Sequence, residues 1–305
     1  MDETDQQLED GGLSLGLLSP FWKNVLIWII VVLVLVNVLR LVAKKVVFGD
    51  AYYSITEYKN DTVYLFTFPR NYTRQLLNLS PYAVKLESWL RLKKVKYELV
   101  ETNQFSKATR QMPYVLFNGV EYVDTLLIID QLTSLLDLPP DDLTPEQEGI
   151  SRAFIRMVDE GLAMSHFLFR YCYIKNKFFG RLFRPNEKLW VTAIFKYFFN
   201  KGVSKRGRLS GIGRHSQTVV GDVGKDDLRS ISRYLGSKKF MFGDEINLVD
   251  CSIFGQLSHI IYIDLDLPHK TILDTECTNI KPYVERVKNT LWKDWDEIVN
   301  PKPFE

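Results

Sequence analysis

The sequence predicts a small α/β domain followed by an all-helical domain, with one membrane-spanning helix ahead of both. Three patterns predict this arrangement. An uncharged apolar run extends from Asn24 to Leu39, strand and helix patterns alternate between residues 62 and 138, and only helix patterns follow residue 144. A chain of 305 residues accommodates two domains, and 46% hydrophobic with 25% charged residues is typical of a globular protein.

Charge and cysteine content narrow the class of protein. The formal net charge of +2 gives no reason to expect a nucleic-acid partner. The cysteines are scattered, with no CxxC pair: Cys172, Cys251 and Cys277. Such a set fits a reducing compartment better than a disulfide framework. Four histidines share no helical face and no HExxH arrangement, so we predict no metal site; they are His166, His215, His259 and His269.

The apolar run predicts a transmembrane helix over residues 21–43, because a span needs about 20 residues. The side chains of Lys23 and Arg40 can extend to the membrane surfaces, and Trp22 suits an interface. A signal peptide is one alternative, but it needs a basic N-terminus, and residues 1–20 are acidic and predicted to be disordered. A buried core helix is the other alternative, although an apolar surface on all sides favours lipid.

The flanking charges predict the orientation of this helix. Arg40, Lys44 and Lys45 lie on its C-terminal side, and Lys23 alone lies on the other, so residues 44–305 are expected in the cytosol. Residues 44–61 form a predicted linker. Three glycosylation sequons would matter only if the orientation were reversed; they begin at Asn60, Asn71 and Asn78.

The α/β domain is predicted over residues 62–138 with the order β-α-β-β-β-α. A strand at Val63–Phe68 precedes a helix at Pro81–Leu92, and "VKYELVET" reads as the second strand. Asn118-Gly119 is a strong two-residue hairpin signal between the last two strands. A helix over residues 124–136 completes the domain.

The all-helical domain is predicted over residues 144–300. Thr144, Pro145 and Gln147 form a capping-box pattern at its first helix, and Asn247 with Asp250 forms another. Residues 201–216 are rich in glycine and basic residues and read as a connector. This stretch has no acidic residue between Lys201 and Arg214. It is interpreted either as solvated or as a surface that meets anionic lipid.

Specific motifs resemble a known superfamily. An α/β unit with Ser-Pro-Tyr, Met-Pro and Asp-Thr, followed by a helical half, resembles the glutathione transferase superfamily. That resemblance implies an α/β thioredoxin-like N-terminal domain plus an all-α C-terminal domain. "YLFTFPR", "LSPYAVKLESWLRLKKVKYE", "QMPYVLFNG", "GIGRHS" and "FMFGDEINLVDCSIFGQL" look like the failed axon connections proteins, which are related to the cadmium-responsive proteins and the metaxins. The similarity extends over about residues 62–300.

The resemblance implies a glutathione site that begins at Ser80. This serine occupies the position that contacts the glutathione sulfur, and Tyr82 follows it in the same motif. A helix N-terminus carries unpaired N–H groups and partial positive charge, which stabilise a thiolate. Ser80 is therefore the candidate catalytic residue. The alternative is a plain N-cap serine, which contributes on the order of 1 kcal/mol to stability.

Two further motifs complete the implied glutathione site. Met112-Pro113 matches the cis-proline position, where the backbone of the preceding residue pairs with the cysteinyl part of glutathione. Asp124-Thr125 matches the acid and hydroxyl pair that holds the γ-glutamyl end, with threonine in place of the more usual serine. The alternative is that these residues only cap a helix. A long loop with Arg70 and Arg74 is expected to close over the cleft or to contact a partner.

Two functions follow from the resemblance. The first is a membrane-anchored scaffold or sensor that acts in stress and detoxification or in axon development, with protein partners or as a homodimer. The second is an active glutathione S-transferase that conjugates glutathione to electrophiles. The absence of a catalytic signature beyond Ser80 favours the first.

Overall fold

The computed structural model describes residues 19–48, 58–70, 75–174 and 189–300. The chain divides into two compact units, residues 1–47 and residues 48–305. The second unit is called the body.

Helix α1, Pro20–Phe48, belongs to the first unit except for its last residue. Its stretch Pro20–Val38 has 19 residues and a mean hydropathy of 2.2, and none of it is buried in protein. Phe21 and Trp22 near its start are 68% and 57% exposed and pack edge to face. By length and composition, this helix can cross a membrane.

The body begins with the predicted α/β domain. Its strands are β1 (Val63–Thr67), β2 (Tyr97–Glu101), β3 (Tyr114–Phe117) and β4 (Val120–Val123), and its helices are α2 (Pro81–Leu92) and α3 (Thr125–Leu135). The strand order is β2-β1-β3-β4, with β1 and β2 parallel and the other pairs antiparallel. Asn118 and Gly119 both have positive φ, at 48° and 81°, so the hairpin prediction is confirmed.

The two faces of the sheet are used differently. Val63 and Leu65 of β1 face α2 and α3, where they pack with Leu86 and Trp89 in a buried apolar core. Alternate residues of the strands face the opposite side, and there Phe66 stacks on a tyrosine of β3 with ring centroids 4.5 Å apart. Both faces of β1 are therefore buried, one against the helices and one against aromatic side chains.

Helices make up the rest of the described body. They are α4 (Pro145–Arg156), a π turn (Met157–Leu162), α5 (Ala163–Phe167), a second π turn (Leu168–Tyr173), α6 (Leu189–Leu209), α7 (Gln217–Leu235), α8 (Leu248–Ile261), α9 (Pro268–Thr271), α10 (Ile280–Leu291) and α11 (Trp295–Val299). Both predicted capping boxes are formed, at Thr144 with Gln147 and at Asn247 with Asp250.

The prediction of a connector over residues 201–216 is wrong for its first nine residues, because α6 continues to Leu209. Glycine normally weakens a helix, but Gly207 is buried here and allows close packing. A Cβ at Gly207 would lie 2.8 Å from the side chain of Leu168. Tertiary packing thus overrides the helix propensity of the segment.

The two domains of the body meet where α2 crosses α8. A Cβ added to Gly255 of α8 would lie 2.6 Å from the carbonyl oxygen of Pro81 and 3.1 Å from the backbone nitrogen of Lys85. Beside this crossing, the ammonium of Lys85, only 1% exposed, pairs with Asp159 at 2.5 Å. Ser252 of α8 donates a hydrogen bond to the other carboxylate oxygen of Asp159 at 2.9 Å. The contact is therefore both tightly packed and polar.

We predict that Gly255→Ala destabilises the full-length protein by about 2 kcal/mol or more, since the added methyl group must push the two backbones apart. Denaturant unfolding in mild detergent measures the change. Gly149→Ala is the matched control: Gly149 is exposed in α4 with no atom within 4 Å of an added Cβ. This control variant should be more stable than wild type by about 0.5–1 kcal/mol. Equal stability of the Gly255 variant and wild type would contradict the close crossing.

Candidate functional site

A cavity of about 590 Å³ lies between the two domains of the body. All six residues predicted from the sequence line it: Ser80, Tyr82, Met112, Pro113, Asp124 and Thr125. The α/β domain contributes these residues from three separate places in the chain, and the helical domain forms the facing wall. The fold therefore brings the predicted set together.

Ser80 lies at the N-terminus of α2 and is 8% exposed. Its Oγ accepts a hydrogen bond from the N–H of Ala83 at 3.4 Å, which is the N-cap role. Accepting this bond leaves the hydroxyl proton free for donation to a ligand. The N-cap role and the thiolate-binding role of Ser80 are therefore compatible. The cap uses a lone pair of Oγ, and a thiolate would accept the hydroxyl proton in a hydrogen bond.

Asn78 positions this serine, a role that the sequence did not reveal. Its side-chain oxygen accepts from the N–H of Ser80 at 3.0 Å, and its amide nitrogen donates to the carbonyl of Phe68 at 2.7 Å. Asn78 is 3% exposed. The sequence showed only a sequon at this position, because the Asn-Leu-Ser pattern carries no sign of the loop it closes.

The Met112-Pro113 peptide bond is cis, as predicted. Both residues line the cavity immediately before β3. A cis X-Pro bond makes a tight turn. Here the turn brings the backbone that precedes β3 to the edge of the cavity, in the region where α2 begins.

Asp124 caps α3 in an unusual backbone conformation. Its side chain accepts from the N–H of Leu126 at 3.0 Å, while its φ and ψ are 66° and 121°. A non-glycine residue in this region is strained, and such strain clusters at functional sites. Thr125 follows as the first helical residue and is 8% exposed. A second helix N-terminus therefore lies at the cavity.

Tyr82 joins the two domains. Its hydroxyl donates to the backbone carbonyl of Asp159 at 2.6 Å, and its ring meets Phe167 edge to face. Burial raises the pKa of this phenol above its ordinary value, and the neighbouring Arg206 guanidinium opposes the rise. Tyr82 therefore lines the cavity as a neutral phenol whose proton is already bound to protein.

The facing wall is aromatic with a charged edge. Its apolar members are Met164, Phe167, Tyr171, Phe199 and Val203, while Phe105 lines the cavity from the α/β domain. Arg156 pairs with Glu160 at 2.5 Å one turn along the helix, and Arg206 of α6 also lines the cavity. Arg206 falls within the stretch predicted to be a connector. The spacing of Phe199, Val203 and Arg206 at i, i+4 and i+7 is the helical signal that could have found it.

The long loop before α2 does not use Arg70 at the cavity. The Arg70 guanidinium pairs with Glu87 of α2, and its backbone N–H donates to Glu101 of β2 at 3.1 Å. Glu87 also accepts from Tyr97 at 2.8 Å, so Arg70 belongs to a polar network behind α2. Arg74 lies outside the described residues.

A cluster of buried histidines lies behind the start of α2. His166 is 6.3 Å from His259 and 6.4 Å from His269 between ring centroids, and all three are fully buried. Arg170 donates to Nδ1 of His259 at 2.7 Å and to the carbonyl of Leu79, the residue before Ser80, at 3.4 Å. The separation of these histidines along the chain concealed a cluster that the fold assembles.

Burial keeps these histidines neutral. Desolvation first, and the charge of Arg170 second, hold the pKa of His166 and of His259 well below the ordinary range. For His269, burial and Lys225 lower the pKa to about 4. Ser165 donates to the carbonyl of Val220 at 2.7 Å, so its Oγ accepts from Nε2 of His269 at 2.9 Å, which assigns the tautomer of that ring. Among the described residues, no group of three or more His, Cys, Asp or Glu side chains is arranged to hold a metal.

The fold and cavity define a two-domain protein with a thioredoxin-like α/β domain and an all-helical domain that share one cleft. Family comparisons agree with this class. A profile described as "Glutathione S-transferase N-terminal domain" matches residues 81–176, and one described as "Glutathione S-transferase, C-terminal domain" matches residues 224–287. The chain belongs to the glutathione S-transferase superfamily.

Individual relatives agree with this assignment. The chain is 34% identical over 258 residues to Failed axon connections of Drosophila melanogaster, covering 80% of this chain and 61% of that protein. It therefore spans about three fifths of that relative's length. It is also 24% identical over 229 residues to isoprene-epoxide–glutathione S-transferase of Rhodococcus sp. strain AD45, covering 69% of this chain and 92% of that enzyme.

Solved structures show the same fold. A glutathione transferase from Phanerochaete chrysosporium aligns with a TM-score of 0.53 at 14% identity, over 75% of this chain and 97% of its own. A glutathione S-transferase from Ceriporiopsis subvermispora, solved in complex with glutathione, aligns with a TM-score of 0.52 at 14% identity, over 80% and 99%. The resemblance read from the sequence motifs is confirmed at the level of fold.

The neutral histidines predict how stability depends on pH. An unfolded histidine takes up a proton below about pH 6.5, whereas folded His269 does so only near pH 4, so unfolding becomes easier as the pH falls through this window. His269 alone should account for about 2 kcal/mol of the loss between pH 7 and pH 5. Denaturant unfolding of the full chain at both pH values measures it.

Comparing the variant with wild type removes the contributions of other titrating groups to the pH dependence. One such group is Asp227, whose pKa burial raises to about 7. His269→Gln should remove its share of the pH dependence. His215→Gln, at an exposed position, is the control and should leave the dependence unchanged. The same loss of stability in His269→Gln as in wild type would show that this ring is protonated in the folded state.

Proposed function

We propose that this chain is a membrane-anchored glutathione-binding protein, whose body holds glutathione in the cavity between its two domains and acts as a scaffold or sensor. One observation carries this proposal. Two helix N-termini, at Ser80 and Asp124, and the cis bond at Pro113 all lie at one cavity. Helix N-termini favour anions, and glutathione carries two carboxylates and an ionisable thiol.

Each predicted residue has a distinct part in this proposal. The Ser80 hydroxyl donates to the glutathione thiolate while its oxygen keeps capping α2. The Met112 backbone, held by the cis bond, pairs with the cysteinyl amide. The carboxylate of Asp124 pairs with the γ-glutamyl ammonium, and Thr125 with the α3 N-terminus receives the adjacent carboxylate. Tyr82 supports the site by holding the facing wall in place.

A transferase is the second candidate function, and the aromatic wall favours it. The cavity extends from Ser80 to Phe167 and Phe199, which leaves an apolar compartment beside the proposed thiolate. An electrophile bound there would meet a thiolate stabilised by Ser80 and the α2 N-terminus, and the sulfur would displace its leaving group or open its ring. The bacterial relative named as an isoprene-epoxide–glutathione S-transferase supports this candidate.

Anchoring and topology complete the proposal. In this proposal the apolar stretch of helix α1 spans a membrane, and Arg40, Lys44 and Lys45 near the C-terminal end of the helix favour a cytosolic body. The name of the relative, Failed axon connections, supports the proposed role in axon development. A role in stress and detoxification, with protein partners or a second copy of the chain, belongs to the same proposal.

Glutathione titration of the full-length protein in lipid nanodiscs tests the central claim. We expect saturable binding by calorimetry, weakened roughly tenfold in Ser80→Ala by loss of one charge-assisted hydrogen bond. Asp124→Asn should weaken binding by a similar factor. Asparagine caps a helix as well as aspartate does and tolerates positive φ, so this variant removes the charge alone.

Ser216→Ala is the matched control, because Ser216 caps α7 by accepting from the N–H of Val219 and does not line the cavity. It should lose stability without losing glutathione affinity. Absence of binding in wild type would contradict the proposal. Binding with turnover of a chlorodinitrobenzene electrophile would favour the transferase, and binding without turnover the scaffold or sensor.

Glycosidase treatment of the full-length protein expressed in cells tests the topology. Asn60 is exposed and starts a sequon, so it is the reporter for a lumenal body. We expect no change in mobility. Asn78 is not a suitable reporter, since a glycan on its amide would break the bond to the Phe68 carbonyl. A mobility shift that disappears in Asn60→Gln would overturn the cytosolic assignment.

A further inference from the structure

Helix α6 has two opposite faces with different surroundings. On one face, Phe199, Val203 and Arg206 line the cavity. At about 100° per residue, the opposite face carries a second set of side chains that the proposed glutathione site does not use. We call this set the α6 basic stripe, and it consists of Tyr197, Lys201, Lys205, Arg208 and Leu209.

The stripe combines basic and apolar side chains that are all exposed. Its first four members follow helical spacing, at i, i+4, i+8 and i+11, and fall with Leu209 within an arc of about 120°. Tyr197 is 56% exposed at one end, and Leu209 is 72% exposed at the other. Lys201 lies over the Tyr197 ring, with its Nζ 5.6 Å from the ring centroid.

The positive charge of the stripe is not neutralised by any acidic side chain among the residues that the structure describes. Lys201, Lys205 and Arg208 form no ion pair within the described part of the chain. Arg214 adds a fourth cation at the C-terminal end, since its Nε donates to the Arg208 carbonyl at 2.9 Å. No acidic residue occurs between Lys201 and Arg214. This excess is local, because the whole chain has a net charge of only +2.

We propose that the α6 basic stripe docks the body onto an anionic lipid surface. Ammonium and guanidinium groups bind the phosphates and carboxylates of the headgroups, and an anionic surface attracts basic residues that lie near it. Tyr197 and Leu209 enter the interfacial region, where amphipathic helices bury their apolar side chains. A nucleic acid would satisfy the cations but offers nothing to an exposed leucine at the end of the stripe, so lipid is the better fit.

This inference rests on the proposed function in one respect: anchoring by α1 keeps a membrane near the body, because both belong to one chain. Docking would hold the helix that forms one wall of the cavity against the lipid surface. The cavity face and the lipid face would then be opposite sides of the same helix.

The test uses the full-length chain in nanodiscs of phosphatidylcholine alone, or with about 30 mol % phosphatidylserine. Acetylation rates of individual lysines are measured by mass spectrometry. Lys201 and Lys205 should react roughly fivefold more slowly on the anionic discs, and about 1 M salt should abolish the difference. Lys96 and Lys293 are exposed elsewhere on the body and serve as internal references with equal rates on both discs.

A double variant, Lys201→Gln with Arg208→Gln, should remove the protection of Lys205 while leaving the thermal midpoint unchanged. The matched control, Lys96→Gln with Lys293→Gln, should retain full protection. Equal labelling of Lys205 on both lipids would overturn the proposal. So would protection by soluble heparin without protection by anionic discs, which would identify a general polyanion site.

Membrane anchoring by α1 is measured separately in the same experiment. Co-elution of the protein with neutral discs reports α1, because the stripe has no anionic lipid to bind there. Failure to co-elute would refute the anchor alone, and lysine protection by added anionic discs would still report docking.

Discussion

The crossing of α2 over α8 at Gly255 is the contact on which the cavity depends. Because Gly255 of α8 has no side chain, the Pro81 carbonyl oxygen in the first turn of α2 lies 2.6 Å, and the Lys85 backbone nitrogen 3.1 Å, from the point that a Cβ of residue 255 would occupy. The first turn of α2 is also the turn that Ser80 caps. One close approach therefore fixes both the relation of the two domains and the position of the candidate site.

Buried polar contacts give this crossing a single register. Asp159 accepts from Lys85 and Ser252 through its carboxylate, and its backbone carbonyl accepts from Tyr82. Removing one partner of a buried ion pair leaves an uncompensated charge, so the set is retained or lost together. An apolar contact of the same area would tolerate sliding, whereas hydrogen bonds of fixed length tolerate little. The cavity is thus shaped by groups that do not themselves need to touch a ligand.

Local chemistry explains which features the sequence could predict. The Asn118-Gly119 hairpin and the capping boxes at Thr144 and Asn247 each depend on a few neighbouring residues, and each is found in the structure. The cis bond at Pro113, which the structure also contains, was implied by the resemblance. The gathering of the predicted site residues followed from the resemblance, because no spacing within the chain measures a distance between separate loops.

Long-range arrangement explains what the sequence concealed. His166 and His269 are about a hundred residues apart, yet their rings lie within 6.4 Å. Asn78 was visible only as a sequon because its hydrogen-bond partners are backbone atoms, which are the same for nearly every residue type. The glycines of residues 201–216 suggested a break in the chain, whereas Gly207 is required by the neighbouring Leu168.

The two π turns on either side of α5 determine which side chains of this helical run point into the cavity. A π turn accommodates an extra residue in an otherwise α-helical run. Each residue of an α-helix advances the side-chain direction by about 100°, so an insertion re-aims everything that follows it. Phe167 and Tyr171 reach the cavity after the first turn, Met157–Leu162. A relative lacking one residue there would present different side chains to the same cleft, so ligand preference can change by deletion without any substitution in the wall.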